Sequence, residues 1–335
     1  MSRSVLVARL DNAGDVLLAG PAIRAVGAAA DEVVVLAGPH GADAALLLPG
    51  VTRVLQWRCP WIDPEPDPVG IEDIERLIGL VRDEGIDEAL ILTSFHQSPL
   101  PLALLLRLAG VPRIAAISAD YPGSLLDVRH QCTDDQPEPE RALSLARAAG
   151  YDLPAGDEGR LAVRRPLPPA RLEPTYVVLH PGASVPARAW PPERCAAAVE
   201  ALSRSGWRVV VTGAPSEADL TARVAGHRGI DLGGATTFAE MAALLAGAAA
   251  VVVGNTGPAH LAAAVGTPVV SLFAPTVPAI RWAPYGVEHV LLGDQDAACA
   301  GSRARVCPVP GHPCLTSVTA DDVVAAVGKL AGDAP

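Results

Sequence analysis

The sequence predicts an α/β fold class with two domains, each built on a parallel sheet. Short runs of Val, Ile and Leu alternate with helical patterns, which is typical of βαβ units. The apolar runs are nearly continuous, as expected for strands covered by helices on both faces of a sheet. This alternation stops at a Pro-rich segment and then restarts, and 335 residues suffice for two domains of about 100–200 residues each.

The first domain is predicted to cover residues 1–155. Its apolar runs predict strands at Ser4–Leu10, Glu32–Ala37, Arg53–Trp57, Glu88–Thr93 and Arg113–Ile117. The helical patterns between them predict helices at Val16–Ala28, Ile71–Glu84 and Leu100–Leu108. Ligands of such sheets bind beyond the carboxyl ends of the strands, so the loops that follow the strands are the candidate sites.

Residues 156–174 are rich in Pro, Gly and charge, which predicts an interdomain linker. The second domain is predicted over 175–318. Its strands are predicted at Tyr176–His180, Arg208–Thr212, Ala250–Val253 and Pro268–Phe273, and its helices at Pro192–Ser203, Ser216–Ala225, Phe238–Ala246 and Ala259–Val265. Residues 319–335 form a C-terminal helix and tail, with the helix at Ala320–Leu330 and Thr319 as its N-cap.

The composition excludes several classes of protein. A net charge of −11 argues against nucleic-acid binding, which depends on neutralising phosphates. The apolar stretch near the N-terminus is broken by Arg9 and Asp11, and the longest apolar run, Met241 to Gly254, is too short to span a bilayer. Six scattered cysteines do not make a disulfide scaffold. We therefore expect a cytoplasmic protein whose membrane contact is at most peripheral, at the inner face of the plasma membrane.

The first candidate loop runs from Arg9 to Val16, between a predicted strand and a predicted helix. Gly14 suits a tight turn that brings the backbone close to a ligand. Asp15 stands at the start of the helix, where it either faces a ligand or simply caps the helix. The loop has neither the G-x-G-x-x-G of dinucleotide-binding folds nor the G-K-[ST] of a P-loop.

Two loops of the second domain suit a phosphorylated ligand. The segment from His180 to Pro191 joins a strand to a helix and carries Gly, Ser and one Arg, as a phosphate-binding loop does. Alone, it is equally consistent with an ordinary loop that holds a solvated Arg. The segment from Gly254 to His260 also leads from a strand into a helix, whose N-terminal amides favour an anion. His260 has a second interpretation, as a buried histidine that bonds the nearby backbone.

These residues resemble glycosyltransferase family 9, the heptosyltransferases. The resemblance covers essentially the whole chain. It depends on the R-x-D-x-x-G-D-V-L-L segment at Arg9–Leu18, on HPGAS followed by W-P at His180–Pro191, and on T-G-P-A-H-L-A-A-A-x-G-T-P-V-V at Thr256–Val270. It implies a GT-B fold, in which two Rossmann-like domains with parallel sheets face a central cleft. It also implies inverting, metal-independent transfer of a sugar, typically heptose from ADP-heptose, to an acceptor hydroxyl, as in lipopolysaccharide biosynthesis.

The resemblance also implies roles for individual residues. Asp15 corresponds to the catalytic base, and Arg188 to the basic residue that contacts the donor diphosphate. The donor site is completed by His180, Ser184, Glu217, Asn255, Thr256, Gly257 and His260, with Glu217 on the nucleoside. The acceptor side is assigned to Arg9, Asn12 and Gly14. No metal ligand and no cofactor are expected.

The chain departs from the family pattern at three positions. Arg188 stands where the family usually has Lys. The positive charge is kept, but a compact ammonium group is replaced by a planar guanidinium with several N–H donors. Asn255 replaces the usual Asp of D-[ST]-G and removes a negative charge beside the donor. Ala274 replaces the Gly of F-G-P-T. The change at Asn255 leaves the nucleoside and the sugar of the donor open.

Two further segments each allow two interpretations. Cys299, Cys307, His312 and Cys314 supply the donor set of a zinc site, but without a C-x₂₋₄-C pair we expect a structural loop. The segment from Trp57 to Trp61 either lines the acceptor side or forms a surface loop, which we expect.

We expect the chain to bind a nucleotide-sugar donor together with an acceptor that is a glycan, a lipid-linked glycan or a small molecule. The alternatives are a sugar-nucleotide epimerase or phosphorylase of the GT-B fold, and a non-catalytic paralogue that binds a nucleotide sugar. Asn255 is the sequence feature that favours the paralogue.

Overall fold

The computed structural model describes residues 3–132, 134–170 and 172–334. The remaining positions, which belong to the predicted first domain, linker and C-terminal tail, lie outside the described residues. The chain divides into two compact units, Met1–Arg164 and Arg165–Pro335. This division falls inside the segment predicted as the linker.

The first unit is a parallel sheet covered by helices. Its strands are β1 (Ser4–Arg9), β2 (Glu32–Ala37), β3 (Arg53–Gln56), β4 (Glu88–Ile91), β5 (Arg113–Ile117) and β6 (Val128–His130). Its helices are α1 (Ala13–Leu18), α2 (Gly20–Gly27), α3 (Ala42–Leu47), α4 (Ile71–Asp83), α5 (Leu100–Leu108) and α6 (Glu138–Ala148). The sheet order is β3-β2-β1-β4-β5-β6, and every pairing is parallel.

The second unit repeats this plan. Its strands are β7 (Val177–His180), β8 (Val209–Val211), β9 (Ile230–Asp231), β10 (Ala250–Gly254), β11 (Val269–Leu272) and β12 (His289–Leu292). Its helices are α7 (Pro192–Arg204), α8 (Ala218–Ala225), α9 (Phe238–Ala246), α10 (Gly257–Val265), α11 (Ala279–Trp282), α12 (Pro313–Thr316) and α13 (Ala320–Ala331). The sheet order is β12-β11-β10-β7-β8-β9, again parallel.

Both sheets therefore have the same strand order, that of the Rossmann fold, which confirms the predicted α/β class with two Rossmann-like domains. In each sheet the direction of winding reverses between two central strands, β1 and β4 in the first and β7 and β10 in the second. Ligands of doubly wound sheets bind beyond the carboxyl ends of the strands at this reversal. The three candidate loops follow β1, β7 and β10, so each lies at the switch point of its own sheet.

The structure corrects several of the predicted elements in both domains. The helix predicted at Val16–Ala28 is two helices, α1 and α2, with a break at Ala19. The α6 helix, which begins in a Pro-rich segment, was not predicted. The short elements α3, β6, β9 and β12 were not predicted either, because runs of two to six residues carry little periodicity. The predicted C-terminal helix is present, its Thr319 N-cap accepts a hydrogen bond from the Asp322 amide, and it packs against α7.

The expectation of a surface loop at Trp57–Trp61 is wrong at two of its residues. Trp57 and Cys59 are buried in the core of the first unit. The Trp57 indole donates to Asp73 Oδ2 at 2.9 Å, and its ring meets the Trp61 ring edge-on with centroids 5.4 Å apart. Burial of the Trp57 indole and the Cys59 thiol, with Trp61 packed against them, anchors this segment through the hydrophobic effect.

None of the helices in the described parts of the chain is long and apolar enough to cross a membrane.

Candidate functional site

The loop after β1 places Asp15 inside a helix and not at its cap. The N-cap of α1 is Asn12, whose side chain makes no capping hydrogen bond, and Gly14 and Asp15 lie in the first turn. The tight turn expected at Gly14 and the capping role considered for Asp15 are therefore both wrong. Asn12 is exposed and Gly14 is buried. The Asp15 carboxylate is thus available for other interactions.

Asp15 is held by the buried guanidinium of Arg9, the last residue of β1. Arg9 Nη2 donates to Asp15 Oδ1 at 3.0 Å and to Ser94 Oγ at 2.9 Å. Arg9 Nε lies 2.9 Å from Asp11 Oδ2. The Arg9 side chain is only 3% exposed, so its charge is stabilised by these protein groups and not by water.

The environment of Asp15 tunes it for proton transfer. Burial and the nearby charge of Asp11 raise its pKa to about 6, although the charge of Arg9 acts in the opposite direction. For Arg9, burial lowers the pKa, but the carboxylates of Asp11 and Asp15 outweigh burial and raise it. A carboxylate whose pKa lies close to neutral pH is well suited to act as a general base.

Several residues of this site were missed by the sequence analysis. Ser94 and Gln97 follow β4, the strand beside β1, and Gln97 bridges the Ser94 amide at 2.9 Å and Asp11 Oδ1 at 2.6 Å. Glu138 and Arg141 come from α6, and Arg141 donates to the Thr93 carbonyl at 2.6 Å. Because the ends of adjacent strands share a site, Ser94 and Gln97 could have been found from their position after β4. No local sequence pattern indicates Glu138 or Arg141.

In the second unit, the loop after β7 carries His180, Ser184 and Arg188. His180 Nδ1 lies 3.1 Å from Thr212 Oγ1, at the end of the adjacent strand β8. Burial lowers the pKa of His180, partly offset by the charge of Glu217. Ser184 is exposed, and Arg188 ends the 3₁₀ turn Pro186–Arg188.

Glu217 packs directly over Gly182 of this loop. Its Oε2 accepts the Ala214 amide at 2.8 Å and lies 4.0 Å from His180 Nε2. A β-carbon on Gly182 would overlap the Glu217 carboxylate, so this arrangement requires glycine. The structure therefore brings together His180 and Glu217, which lie 37 positions apart in the sequence and are both predicted donor residues.

The loop after β10 leads into α10 and is the second candidate loop of the second unit. Thr256 is the N-cap of α10, and Gly257 is its first residue. Thr256 Oγ1 and His260 Nδ1 are buried and have no hydrogen-bond partner among the described residues. His260 is buried, as its second interpretation expects, and its Nδ1 makes no hydrogen bond to the backbone of the described residues. Burial and then the charge of Arg188 lower the pKa of His260 to about 4, so it is neutral at pH 7.

These unpartnered atoms at a helix N-terminus have the chemistry that an anion site needs. Polar groups buried without partners are costly, and a ligand that bonds them recovers that cost. Gly254 brings the two loops together, because a β-carbon there would lie 3.1 Å from the Arg188 carbonyl oxygen. Asn255 is buried, and its amide faces the backbone of Ala274 after β11.

The cysteine segment braces the loop after β7 and the loop after β11. The Ala187 amide donates to the Arg305 carbonyl at 2.9 Å, and His312 Nε2 lies 3.1 Å from the Ala187 carbonyl. The Arg303 amide donates to the Thr276 carbonyl at 2.8 Å. All six cysteines of the chain lie in described segments and are free thiols.

In the described residues no group of three or more His, Cys, Asp or Glu side chains is arranged to hold a metal ion. The zinc alternative for the cysteine segment therefore finds no support in this arrangement. An Asp-x-Asp motif can hold a divalent cation through its two carboxylates. The described residues include one such motif, Asp294 and Asp296 after β12. Both residues are exposed, and Asp294 Oδ1 accepts the Asp296 amide at 2.9 Å.

Comparison with known proteins places this geometry in context. The family glycosyltransferase family 9 (heptosyltransferase) matches residues 87–312. Lipopolysaccharide heptosyltransferase 3 of Escherichia coli is 33% identical over 196 residues, which are 56% of this chain and 55% of the relative. Lipopolysaccharide heptosyltransferase 1 of Pseudomonas aeruginosa is 33% identical over 221 residues, 63% of this chain and 61% of the relative. The matched segments thus span between half and two thirds of these curated relatives.

Solved structures share the fold along nearly the whole chain. A family 9 glycosyltransferase from Veillonella parvula has a TM-score of 0.77 at 16% identity, covering 98% of this chain and 97% of that one. The E. coli heptosyltransferase WaaC with ADP-2-deoxy-2-fluoro heptose has a TM-score of 0.73 at 23% identity, covering 97% and 99%. At these identities the likeness concerns the fold.

Proposed function

The chain belongs to glycosyltransferase family 9, and on that premise we propose that it transfers heptose from ADP-heptose to a hydroxyl group of an acceptor, with inversion at the anomeric carbon. The names of its relatives, lipopolysaccharide heptosyltransferases, support this donor class. The single observation that carries the proposal is Asp15, a carboxylate with a pKa near 6 that receives one N–H from a buried arginine. Such a group accepts a proton at neutral pH.

In the proposed reaction Asp15 acts as the general base. It takes the proton of the acceptor hydroxyl while that oxygen forms a bond to the anomeric carbon of the donor. The bond from this carbon to the diphosphate breaks, and its electron pair leaves with ADP. A positioned base contributes about 10²–10⁴-fold to such a step.

The second domain supplies the stabilisation of the leaving diphosphate. Arg188 provides a positive charge, and the N-terminus of α10 provides the positive end of a helix dipole. Thr256, Gly257 and His260 contribute buried donors and acceptors beside them. In this proposal the reaction requires no metal ion, because Arg188 and the N-terminus of α10 stabilise the negative charge of the leaving diphosphate, as a bound cation otherwise would.

The remaining residues bind the rest of the donor and the acceptor. We assign Glu217 and His180 to the nucleoside, with Ser184 at the edge of the loop. Asn12 and the backbone at Gly14 lie beside Asp15 and are assigned to the acceptor. Arg9 is buried against carboxylates, so we assign it to supporting Asp15, which refines its expected place on the acceptor side.

The decisive experiment combines donor binding with turnover. Calorimetry with ADP-heptose, a GDP-sugar and a UDP-sugar identifies the donor, and transfer to lipopolysaccharide core and to a soluble sugar acceptor is followed with and without EDTA. We expect ADP-heptose to bind, and Asp15→Asn to retain that binding but lose at least about 100-fold in turnover. The exposed Asp43→Asn, on α3, is the matched control.

Each other outcome contradicts a different part of the proposal. If no nucleotide sugar binds the wild-type chain, the donor site is wrong. If Asp15→Asn keeps turnover within a few-fold, the base is wrong. Binding without transfer to either acceptor indicates a nucleotide-sugar-binding paralogue, and loss of turnover in EDTA contradicts metal independence.

A further inference from the structure

Glu138 is a buried carboxylate that the proposed reaction does not use. It lies at the first position of α6 between Pro137 and Pro139, and its side chain is 2% exposed. Its Oε1 is buried and has no hydrogen-bond partner among the described residues. Burying an incompletely bonded carboxylate is costly, so its retention calls for a compensating role.

The geometry around Arg9 points to that role. The guanidinium presents a different nitrogen to each of three carboxylates. Its Nε lies 2.9 Å from Asp11 Oδ2, its Nη2 lies 3.0 Å from Asp15 Oδ1, and its Nη1 lies 3.7 Å from Glu138 Oε2. The second hydrogen of Nη2 is directed at Ser94 Oγ. Asp15 therefore receives a single N–H.

An arginine can pair with a carboxylate through two N–H groups in two ways, by Nε with Nη2 or by Nη1 with Nη2. Both ways are open to Asp15 in principle, because it already sits on Nη2. Asp11 Oδ2 stands against Nε as an ion pair, without hydrogen-bond geometry, and its charge and bulk oppose the first. Glu138 Oε2 faces Nη1 as an ion pair at 3.7 Å and opposes the second in the same way.

We propose that Glu138 is a positioning residue for Asp15, which by engaging Nη1 of Arg9 keeps Asp15 in a one-point contact and preserves it as a proton acceptor. This inference rests on the proposed function and deepens it. A two-point contact would hold both Asp15 oxygens and favour the ionised form over the protonated one. In the one-point contact, Asp15 Oδ2 accepts no hydrogen bond from the described residues and is available to the acceptor hydroxyl.

The charges that act on Asp15 come from β1, the loop after it and α6. Arg9 and Asp11 belong to β1 and the loop after it, and Glu138 comes from α6. Arg141, also on α6, lies 3.7 Å from Glu138 Oε2. On the other helices that pack on α1, Arg24 of α2 pairs with Asp157 at 2.7 Å, and Asp43 of α3 is exposed. The negative charge of Glu138 acts on Asp15 in the direction that raises its pKa.

The first test measures Asp15 directly, in the ligand-free protein. The ¹³C signal of its carboxyl carbon is titrated by NMR and assigned by its disappearance in Asp15→Asn. In Glu138→Gln, which keeps the shape and removes the charge, we expect the midpoint to fall by about one pH unit. Glu140→Gln, an exposed position on the same helix, is the matched control and is expected to leave it unchanged.

Glu138→Asp keeps the negative charge but moves the carboxylate away from Arg9 Nη1, because its side chain is one methylene shorter. It replaces Glu138→Gln in the titration if Glu138→Gln does not fold. Its midpoint is expected to fall in the same direction but by less than half as much. An Asp15 midpoint that stays at its wild-type value in the folded Glu138 variants overturns the proposal.

The second test follows kcat/KM against pH. In Glu138→Gln the acid limb is expected to move to lower pH with the NMR midpoint, and the rate on the plateau to fall about 3- to 10-fold, because a less basic group accepts a proton less readily. A loss that is uniform with pH and leaves the limb in place indicates a purely structural role and also overturns the proposal. If the wild-type chain transfers no heptose, the proposed function fails, whereas the NMR titration still decides the role of Glu138.

Discussion

Asn255 and Ala274 hold each other through a reciprocal pair of hydrogen bonds. Asn255 Nδ2 donates to the Ala274 carbonyl, and Asn255 Oδ1 accepts the Ala274 amide, each at 3.4 Å. Both residues are buried, and they are two of the positions at which the chain departs from the family pattern. The two departures therefore form one contact, which ties the loop after β10 to the loop after β11.

Asn255→Asp is expected to destabilise the second domain. An ionised carboxylate accepts the Ala274 amide but repels the Ala274 carbonyl, and one unmade buried hydrogen bond costs about 1–3 kcal/mol. The protonated acid restores a donor, so the pKa of the new carboxyl rises above its unfolded value. The loss of stability is therefore smallest near pH 4 and grows as pH rises through the folded pKa.

Thermal unfolding of this variant at pH 4, 6 and 8 measures the effect. Asn12→Asp, at an exposed helix N-cap where aspartate is equally well tolerated, is the control and is expected to show no such loss. An Asn255→Asp protein as stable as wild type at pH 8 would mean that the reciprocal contact contributes nothing.

The raised pKa of Asp15 predicts a conflict between activity and stability. Its pKa is about 6 in the folded chain, against about 3.9 unfolded, because burial and Asp11 disfavour the charge. A carboxyl group with a raised pKa contributes stability at low pH that is lost as pH rises from about 4 to about 6. Two pH units correspond to roughly 3 kcal/mol.

Asp15→Asn lacks this titration. The difference in Tm, variant minus wild type, should therefore become more positive between pH 4 and pH 7, while turnover of the variant is expected to fall at least about 100-fold. Asp43→Asn, on the exposed face of α3, should give no trend. Parallel curves for Asp15→Asn and wild type would contradict the assigned pKa.

Gly182→Ala should weaken donor binding without unfolding the domain. The added methyl group overlaps the carboxylate of Glu217, which must turn away from His180 and from the Ala214 amide. Since the carboxylate is the end of a flexible side chain, the backbone need not move. We expect the Kd for the donor, from calorimetry, to rise at least about 10-fold, the loss of one charge-assisted hydrogen bond.

Gly79→Ala provides the matched control. This glycine lies within α4 with open space around it, so an added methyl group meets nothing and helix propensity improves. It should leave the donor Kd unchanged and raise Tm slightly. A Gly182→Ala protein with wild-type donor affinity would remove Glu217 from the donor site.

His312→Ala should raise KM for the donor while leaving the acid limb of the pH profile in place. The imidazole of His312 lies 3.1 Å from the carbonyl of Ala187, the residue before Arg188, so its loss loosens the turn that presents the guanidinium. We expect an increase of roughly 3- to 10-fold, equivalent to about one neutral hydrogen bond. Steady-state kinetics at saturating acceptor measure it.

His289→Ala, at the exposed start of β12, is the control for this prediction. It should leave KM for the donor at the wild-type value. An equal change in both variants would mean that the cysteine segment does not position Arg188.

Sequence reasoning found the parts of this protein that are local. These parts are the apolar strands, the loops that follow them and the glycine and proline residues at helix starts. Each depends on residues within about ten positions of one another. The segments Arg9–Leu18 and Thr256–Val270 could therefore be interpreted directly. What it could not find depends on long-range packing. Glu138 meets Arg9 across 129 positions, from a helix that begins inside a Pro-rich stretch with no apolar run before it.

The same limit applies to roles. The sequence presents Asn255 as a change beside the donor, but its amide is turned to the backbone of Ala274, a contact that depends on the pairing of β10 with β11. Likewise, Asp15 at the start of a helix is consistent with a cap until the burial of Arg9 gives its carboxylate another partner. In each case the residue type is visible in the sequence and its partner is not.

The shared strand order has a consequence for the local unfolding of each sheet. The functional loops follow β1, β7 and β10, which have neighbours on both sides, and not the edge strands β3, β6, β9 or β12. Amides of such central strands exchange their hydrogens only in the rarest openings of a domain, whereas edge strands fray in frequent, partial ones. Local breathing can therefore detach an edge of either sheet while the residues that carry the chemistry keep their register.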